Sequence, residues 1–545
     1  MTKPRDLSKL GGGFIQSGTG AVQRSVESKL KDTVSVKDFG AVGDGVADDT
    51  AAFNLALRAS ETYGDSLKYI CLQLGGGNYR IDGTVYLRKG QQIDGGGAHL
   101  FMGATGSIKL GFKSNNTEDA GGAPPRVYDL WIEGGLRPID ATVSGYQVSN
   151  IFFSFPAAGA IFGGTDGTIS DCIFDNGASL ASLSGRNMTM TNCNFYVGGD
   201  QLVISDLKDS VVSNCVFNYA NTSSLRWAGQ TGQILENVRI DNCSFIKNEQ
   251  TAGTFNGFVH INNVTTAPAG NLVISGCNFR NCAGGAIRNY GTSIHRLTVE
   301  NCVFDGNKTF STYAQSTTMF ALDMATSGFS KGITIIRGCE FRNLHDTPIK
   351  LSSAEAFDVA IRDCVFTGNA GSQSISVATA PRAAKLVIGN CVGQGASNTP
   401  LITFTSPLDF RVDGWLKNWL PVIDDGVTNL YVEVPFVGTT LVKAVLIANQ
   451  NPGGSSFYRA IKECTASATY DYTTQLATRA SIQSDFASGS PVLGFNLNVQ
   501  AALTSVATGT TVNGVLSPGK LIIYWPRSYG NSSIDVQYVH SQISP

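Results

Sequence analysis

The sequence contains few charged residues and no long hydrophobic run. Asp, Glu, Lys and Arg make up 15% of its 545 residues, against a usual share of about 25%. The 40 basic and 42 acidic residues give a net charge of −2, which excludes the broad basic surface of a general nucleic-acid-binding protein. No stretch approaches the roughly 20 apolar residues of a membrane helix, and residues 1–13 form no apolar signal segment. We expect a protein that folds in a reducing cytosol, without membrane or nucleic-acid partners.

The cysteines lack the doublet spacing of a zinc site, but nine of the twelve belong to a repeated segment. The segment is a turn-type residue, a cysteine, a variable residue and then, in eight of the nine copies, phenylalanine. Successive cysteines are 21 to 37 residues apart, a spacing typical of solenoid proteins. The nine are Cys172, Cys193, Cys215, Cys243, Cys277, Cys302, Cys339, Cys364 and Cys391.

The residue before each of these cysteines is Asn, Asp or Gly, the three that best tolerate a left-handed backbone. An aliphatic or β-branched stretch precedes each of them, as in LVISGCNF at 272–279. Each repeat is therefore predicted to be a strand, a one-residue bend and a second strand. Cysteine and phenylalanine, two residues apart, face the same side. Stacked repeats predict an all-β protein built on a right-handed parallel β-helix, with the nine cysteines as free, buried thiols.

The chain is expected to contain three regions. Residues 1–33 are polar and too short for a core, and we interpret them as an attachment segment. Residues 34–425 form the β-helix, with an N-terminal capping helix that begins at Asp48 and Asp49. The aspartates of this region lack the ligand spacing of an EF-hand and are assigned to capping and turns. Residues 426–545 contain alternating, hydroxyl-rich segments that predict an antiparallel β-sandwich.

The segment VSVKDFGAVGDGVADDTAAF at 34–53, followed by the repeated NCxF segments, resembles the pectate-lyase-like β-helices of bacteriophage tailspikes. The first 33 residues resemble the start of phage tail proteins. The resemblance implies a homotrimer that binds and cuts a capsular or exopolysaccharide of the host. It also implies a place in the phage tail after assembly in the host cytoplasm. Residues 1–33 would contact a tail or baseplate protein. The alternating, weakly charged strands of residues 426–545 suit an interface, so we expect this region to serve trimerisation or glycan binding. The 34–53 segment belongs to the end-capping region of that family and identifies no catalytic residue.

The strand that follows each NCxF segment supplies the candidate site. Aligning these strands by their inward aliphatic residues predicts one outward-facing column, and a second set of residues lies one step further along the same strands. The column is Arg226, His260, Arg288, Ala321, Lys350 and Ser376. The second set is Asn262, Tyr290 and Asp323. Because like charges on neighbouring rungs repel each other, a basic column indicates an anionic polymer as ligand.

Three functions fit this pattern, none of which requires a metal or other cofactor. A polysaccharide lyase would use Arg288 to neutralise a uronate, His260 as base and Tyr290 as acid. Further substrate contacts would come from Arg226, Trp227, Asn262 and Lys350. A glycoside hydrolase would instead use a carboxylate pair, with Asp323 as first candidate and Asp305, Glu249 or Asp346 as partner. An adhesin would bind the glycan without cleaving it.

Overall fold

The structure is a computed structural model in which the chain forms two compact units, residues 1–221 and 222–545. The described residues are 13–25, 29, 34–59, 70–112, 122–154, 159–227, 235–246, 257–261, 269–281, 285–289, 294–306, 321–324, 333–344, 347–351, 358–369, 374–377, 385–393, 402–404, 409–413, 423–424, 429–436, 439–450, 458–471, 476–486, 498–500, 519–526 and 532–541. Within these ranges no helix has the length and apolar character needed to cross a bilayer.

The bend before each repeated cysteine has the left-handed conformation that the sequence predicts. All nine residues have φ between 50° and 63°. They are Asp171, Asn192, Asn214, Asn242, Gly276, Asn301, Gly338, Asp363 and Asn390. This conformation turns the chain sharply, so that the strand before the bend and the strand after it belong to different sheets. We call these sheet 1 and sheet 2, and the sheet formed by the strands that follow sheet 2 is sheet 3.

Asn301 gives a direct test of this bend. Asn301→Ala is expected to lower the free energy of unfolding by about 1–2 kcal/mol, because a Cβ without a local hydrogen-bonding group is disfavoured at its φ of 54°. Asn301→Gly at the same position should cost only a few tenths of that amount, since glycine adopts positive φ freely. Urea unfolding of both variants measures the difference. Equal loss in both variants would contradict the conformational explanation.

In the first unit the three sheets consist of parallel strands. Sheet 1 contains Val34–Ser35, Ile70–Gln73, Thr165–Ser170, Thr189–Thr191 and Val211–Ser213. Sheet 2 contains Asp44–Asp48, Asn78–Ile81, Ile173–Asp175, Asn194–Phe195 and Val216–Asn218. The long strands Gln91–Met102, Arg126–Gly134 and Ser144–Ser154 pass from sheet 1 into sheet 2. Sheet 3 contains Thr84–Leu87, Ser107–Leu110, Ile139–Ala141, Ala160–Phe162, Gly177–Arg186 and Gly198–Lys208. A separate pair, Gly13–Phe14 and Arg24–Ser25, is antiparallel.

The first unit also contains the predicted capping helix, α1, at Thr50–Ala59, preceded by a 3-10 turn at Val36–Phe39. The Asp48 carboxylate accepts the Thr50 N–H at 3.0 Å, and buried Asp49 accepts the N–H groups of Val42 and Gly43 at 2.7 and 3.2 Å. The expected assignment of these aspartates to capping and turns is confirmed. The apolar face of α1 packs on the first strands, where the Phe53 ring meets Tyr79 edge-on at 5.5 Å.

In the second unit the three-sheet coil repeats. Sheet 1 contains Leu235–Glu236, Val238–Asp241, Ala269–Ser275, Ile294–Glu300, Ile333–Arg337, Asp358–Arg362, Lys385–Gly389 and Asp409–Asp413. Sheet 2 contains Ser244–Ile246, Asn278–Arg280, Val303–Asp305, Glu340–Arg342, Val365–Thr367 and Val392–Gly393. Sheet 3 contains Ala220–Trp227, Gly257–Ile261, Ile287–Asn289, Leu322–Met324, Ile349–Leu351, Ile375–Val377 and Ile402–Phe404.

The core of the coil is a ladder of cysteine and phenylalanine side chains. The nine repeated cysteines are thiols outside any disulfide and are at most 1% exposed, which confirms the predicted inward ladder. The phenylalanines two residues later stack in parallel, with ring centroids 4.8 Å apart for Phe279 and Phe304 and 4.9 Å apart for Phe304 and Phe341. The adjacent thiol of Cys302 and burial together raise the pKa of Cys339 to about 12. Such a thiol packs as a hydrophobic group and carries no reactive thiolate near neutral pH.

The C-terminal strands form two antiparallel sheets of four strands each. One has the order Ile423–Asp424, Asn429–Phe436, Gly519–Pro526 and Asn498–Gln500. The other has the order Leu476–Phe486, Tyr458–Asp471, Thr439–Gln450 and Ser532–Ser541. The antiparallel pairing agrees with the alternating sequence of this region. The domain borders at residues 33 and 425, and the packing of the two sheets as a sandwich, stay predictions.

Candidate active site

Strand register in sheet 3 of the second unit places six residues in one column. Arg226 pairs with His260, His260 with Arg288, and Arg288 with Asp323. Asp323 in turn pairs with Lys350, and Lys350 with Ser376. Neighbouring strands lie about 4.8 Å apart, so the four intervals from Arg226 to Lys350 span about 19 Å. The column is continuous over consecutive rungs, as the sequence predicts.

One member of the predicted column is wrong. The alignment of aliphatic residues placed Ala321 beside Arg288, whereas in the structure Leu322 pairs with Ile287 and Asp323 pairs with Arg288. Ala321 is fully buried. Alternation predicts the same face for residues two apart, so alternation alone could not detect that Ala321 lies before the strand Leu322–Met324. The correction puts an acidic residue between Arg288 and Lys350, in place of a methyl group.

The residues of the column differ in exposure. Arg226, Arg288 and Lys350 are half-buried, which leaves part of each cationic side chain in contact with solvent. His260 is only 6% exposed, although the sequence predicted an exposed ridge residue. Its strand neighbours on both sides carry guanidinium groups, and the aliphatic residues before them, such as Ile287, fill the core. At its first three positions the column therefore contains a largely buried imidazole between two partly accessible arginines.

Trp227 does not form a sugar-stacking surface in this structure. Its side chain is 1% exposed, and its strand partner is Ile261, a fully buried residue. Within the described part of the chain its indole N–H has no hydrogen-bond partner. The prediction that Trp227 contacts substrate is therefore replaced by a core position, which follows from its place one residue after outward-facing Arg226.

Gly257 shapes the path of the Arg288 side chain. The backbone of Gly257 has φ of 135°, and a Cβ built there would lie 3.1 Å from both Cγ and Cδ of Arg288. The aliphatic part of Arg288 thus runs over the bare backbone of Gly257, which belongs to the same strand as His260. Nothing in the repeat pattern singles out Gly257, because its role appears only when the neighbouring strand is in place. We regard it as a positioning residue for Arg288.

Of the candidate carboxylate partners of Asp323, Asp305 belongs to the described residues, and it lies in a different sheet from Asp323. Asp305 lies in sheet 2, where its carboxylate accepts Arg342 Nε at 3.0 Å and Asn343 Nδ2 at 3.3 Å. An ion pair between rungs of sheet 2 explains Asp305 without a catalytic role. Glu249, Asp346, Tyr290 and Asn262 lie outside the described residues, and their assigned roles stay predictions.

Sequence reasoning missed an aromatic cluster on the outward side of sheet 2 in the first unit. The Trp131 indole is 45% exposed and stacks on His99, with ring centroids 4.2 Å apart. His99 Nε2 lies 3.1 Å from the Glu133 carboxylate. Burial lowers the pKa of His99, and the nearby Glu133 charge opposes this shift. The spacing HxF at 99–101 and WIE at 131–133 is the signal that would have revealed it.

Two family models match parts of the chain. Residues 158–323 match the right-handed β-helix region, and residues 33–124 match the pectate lyase-like model described as rhamnogalacturonase A/epimerase. These matches agree with the parallel sheets of both units and confirm the predicted right-handed parallel β-helix. The chain is thus similar to pectate lyase-like β-helices over residues 33–124 and to right-handed β-helices over residues 158–323.

Two individual relatives are similar to parts of the chain. The chain is 28% identical over 246 residues to a capsule-specific depolymerase of Klebsiella phage K5-2, covering 41% of this chain and 31% of that protein. It is 30% identical over 122 residues to mannuronan C5-epimerase AlgE1 of Azotobacter vinelandii, covering 21% of this chain and 8% of the epimerase. The chain thus spans less than a third of the length of either relative. The resemblance to phage tailspikes and capsule depolymerases that the sequence indicates is confirmed.

Two solved structures of phage tailspikes also align with the chain. The tailspike protein of E. coli bacteriophage HK620 has 10% identity and a TM-score of 0.49, with 99% of this chain and 98% of that chain covered. The tailspike gp49 from Pseudomonas phage LKA1 has 11% identity and a TM-score of 0.43, with 93% and 99% covered.

Proposed function

We propose that this chain is a tailspike depolymerase that cleaves an acidic polysaccharide of the bacterial surface by β-elimination. The observation that carries the proposal is the register of Arg226, His260 and Arg288 on three consecutive strands, with a shielded imidazole between two cations. Two relatives support it by name, one a capsule-specific depolymerase and one an epimerase acting at C5 of mannuronan. Removal of a C5 proton beside a carboxylate is the chemistry that C5 epimerisation shares with β-elimination.

The column supplies groups for each part of an elimination. The Arg288 guanidinium binds the uronate carboxylate and stabilises negative charge that develops when the C5 proton leaves. Neutral His260 accepts that proton. The electron pair of the C5–H bond forms the C4–C5 double bond as the C4–O bond breaks, and the leaving oxygen takes a proton from an acid. Tyr290 is our candidate for the acid, and Arg226 and Lys350 bind carboxylates of flanking sugars.

A glycoside hydrolase is the second candidate, because the register moves Asp323 into the column itself. Hydrolysis needs a second carboxylate about 5 Å away for retention, or about 6.5–9.5 Å away for inversion. Since Asp305 is held by Arg342 in sheet 2, Glu249 and Asp346 are the partners that this mechanism would use.

A single assay separates the three functions. The protein is incubated with purified acidic capsular polysaccharides, and both polymer size and the ultraviolet absorbance of unsaturated uronate are followed. We expect a fall in size together with a rise in absorbance, as elimination leaves a C4–C5 double bond. A fall in size without absorbance would establish a hydrolase, and binding without any fall in size would establish an adhesin.

Gly257→Ala tests the placement of Arg288. The new Cβ would stand 3.1 Å from the Arg288 stem and displace it, so we expect the cleavage rate to fall about tenfold or more. Gly90→Ala is the matched control, because Gly90 also has positive φ, at 83°, but a Cβ there has no neighbour within 4 Å. Both variants should lose similar stability in urea, and only Gly257→Ala should lose cleavage. Wild-type cleavage by Gly257→Ala would show that Gly257 does not position Arg288 for the reaction.

We also propose that the protein is a homotrimer in the phage tail, attached through residues 1–33 to a tail or baseplate protein. The proposal rests on the resemblance to tailspikes, with residues 426–545 as the trimerisation or glycan-binding region. Light scattering at micromolar concentration tests it, and a monomeric mass would contradict the trimer.

A further inference from the structure

The charges of the column recur with a period of two strands. Arginine or lysine occupies the first, third and fifth positions, which are Arg226, Arg288 and Lys350. His260 and Asp323 occupy the positions between them. Successive cations are thus two strands apart, about 9.6 Å along the coil. The backbone register sets this period, and flexible side chains shift the individual head groups without changing it.

An extended polysaccharide along the column would place about one pyranose ring at each strand, since a ring and its linkage are about as long as the strand spacing of roughly 4.8 Å. The three cations would then face every second sugar. The register places no permanent cation at the two intervening positions, which are held by His260 and by the acidic residue Asp323. Like charges in close juxtaposition discriminate against a ligand as effectively as opposite charges select for one.

We infer that the polysaccharide substrate carries its carboxylates on alternate sugars, with an uncharged sugar between them. This inference rests on the proposed function and sharpens it, because it names the charge pattern of the substrate. Arg226, Arg288 and Lys350 bind three successive uronates. Asp323 disfavours polymers in which every sugar is acidic.

Binding to glycans of known repeat tests the inference on the full-length protein. The probes are hyaluronan and heparosan, with a carboxylate on every second sugar, polygalacturonate, with one on every sugar, and neutral dextran. Purified capsular polysaccharides of known repeat extend each class.

We expect the alternating class to contain the tightest ligands, bound at least tenfold more tightly than polygalacturonate. Equal or tighter binding of polygalacturonate would contradict the alternating pattern. The proposed function would be unaffected, because polygalacturonate is also an acidic polysaccharide. Binding confined to neutral glycans, or no binding of any acidic glycan, would overturn the proposed function as well.

Asp323→Asn tests the residue that provides the discrimination. Loss of its negative charge should lower the preference for alternating over contiguous uronates about fivefold or more, the factor that one close charge pair supplies even in water. The control is Asp358→Asn, an exposed aspartate in sheet 1 of the same unit, which should keep the wild-type preference. Circular dichroism checks that both variants fold. An unchanged preference in Asp323→Asn would contradict the role given to this position.

Discussion

Replacing His260 or Arg288 with alanine is expected to lower the rate of polysaccharide cleavage by about 10²- to 10⁴-fold. His260→Ala removes the base that accepts the C5 proton, and Arg288→Ala removes the cation that stabilises the developing negative charge. The measurement is the initial rate of unsaturated-uronate formation. Because Arg288 is only half-buried, Arg288→Ala should unfold near the wild-type urea concentration.

A neighbouring histidine and arginine outside the column provide controls of the same residue types. His295 and Arg296 are exposed and lie in sheet 1 of the same unit. His295→Ala and Arg296→Ala should both cleave at the wild-type rate. If His260→Ala and Arg288→Ala cleave at the wild-type rate and only Asp323→Ala loses cleavage, the lyase mechanism is wrong and a hydrolase mechanism is favoured.

Phe304→Ala is expected to cause the largest loss of stability, about 3–5 kcal/mol. Phe304 is fully buried, and its ring stacks between Phe279 and Phe341 with interplanar angles of 2° and 4°. The truncation removes two ring contacts and leaves a cavity. The coil is too rigid to close this cavity, which adds to the loss of stability. Urea unfolding of the full chain measures the loss. Val303→Ala is the control, since Val303 is only half-buried on the outward side of the same strand, and it should cost about 1 kcal/mol or less. A similar loss in both variants would contradict the ladder as the source of stability.

Sequence reasoning succeeded where the physical cause is local. The left-handed bend at Asn301 depends on the residue that occupies it, so the turn could be predicted from residue type. Cys302 and Phe304 face inward because side chains alternate along a strand, and both are buried as predicted. The helix at Thr50–Ala59 follows from an aspartate cap and a single apolar face.

The candidate site was predicted in part. Residues Arg226, His260 and Arg288 lie in register as expected, because each follows an aliphatic residue in a short strand. Ala321 was placed in the column where Asp323 belongs, since the loops between strands vary in length and alternation predicts the same face for both residues. The depth of His260 was not foreseen either, because burial depends on neighbouring strands and not on its own sequence.

The sequence by itself determined the repeating unit of this protein: strand, left-handed bend, strand, with a cysteine and a phenylalanine facing the core. These features arise from backbone sterics and side-chain alternation, which act over a few residues. Only the tertiary structure decided that Asp323 stands between Arg288 and Lys350, and that Gly257 leaves room for the Arg288 stem. Both depend on hydrogen-bonded register between strands that are 27 to 35 residues apart in the chain. Pairing over such distances is fixed by the packing of the whole coil, and no local pattern specifies it.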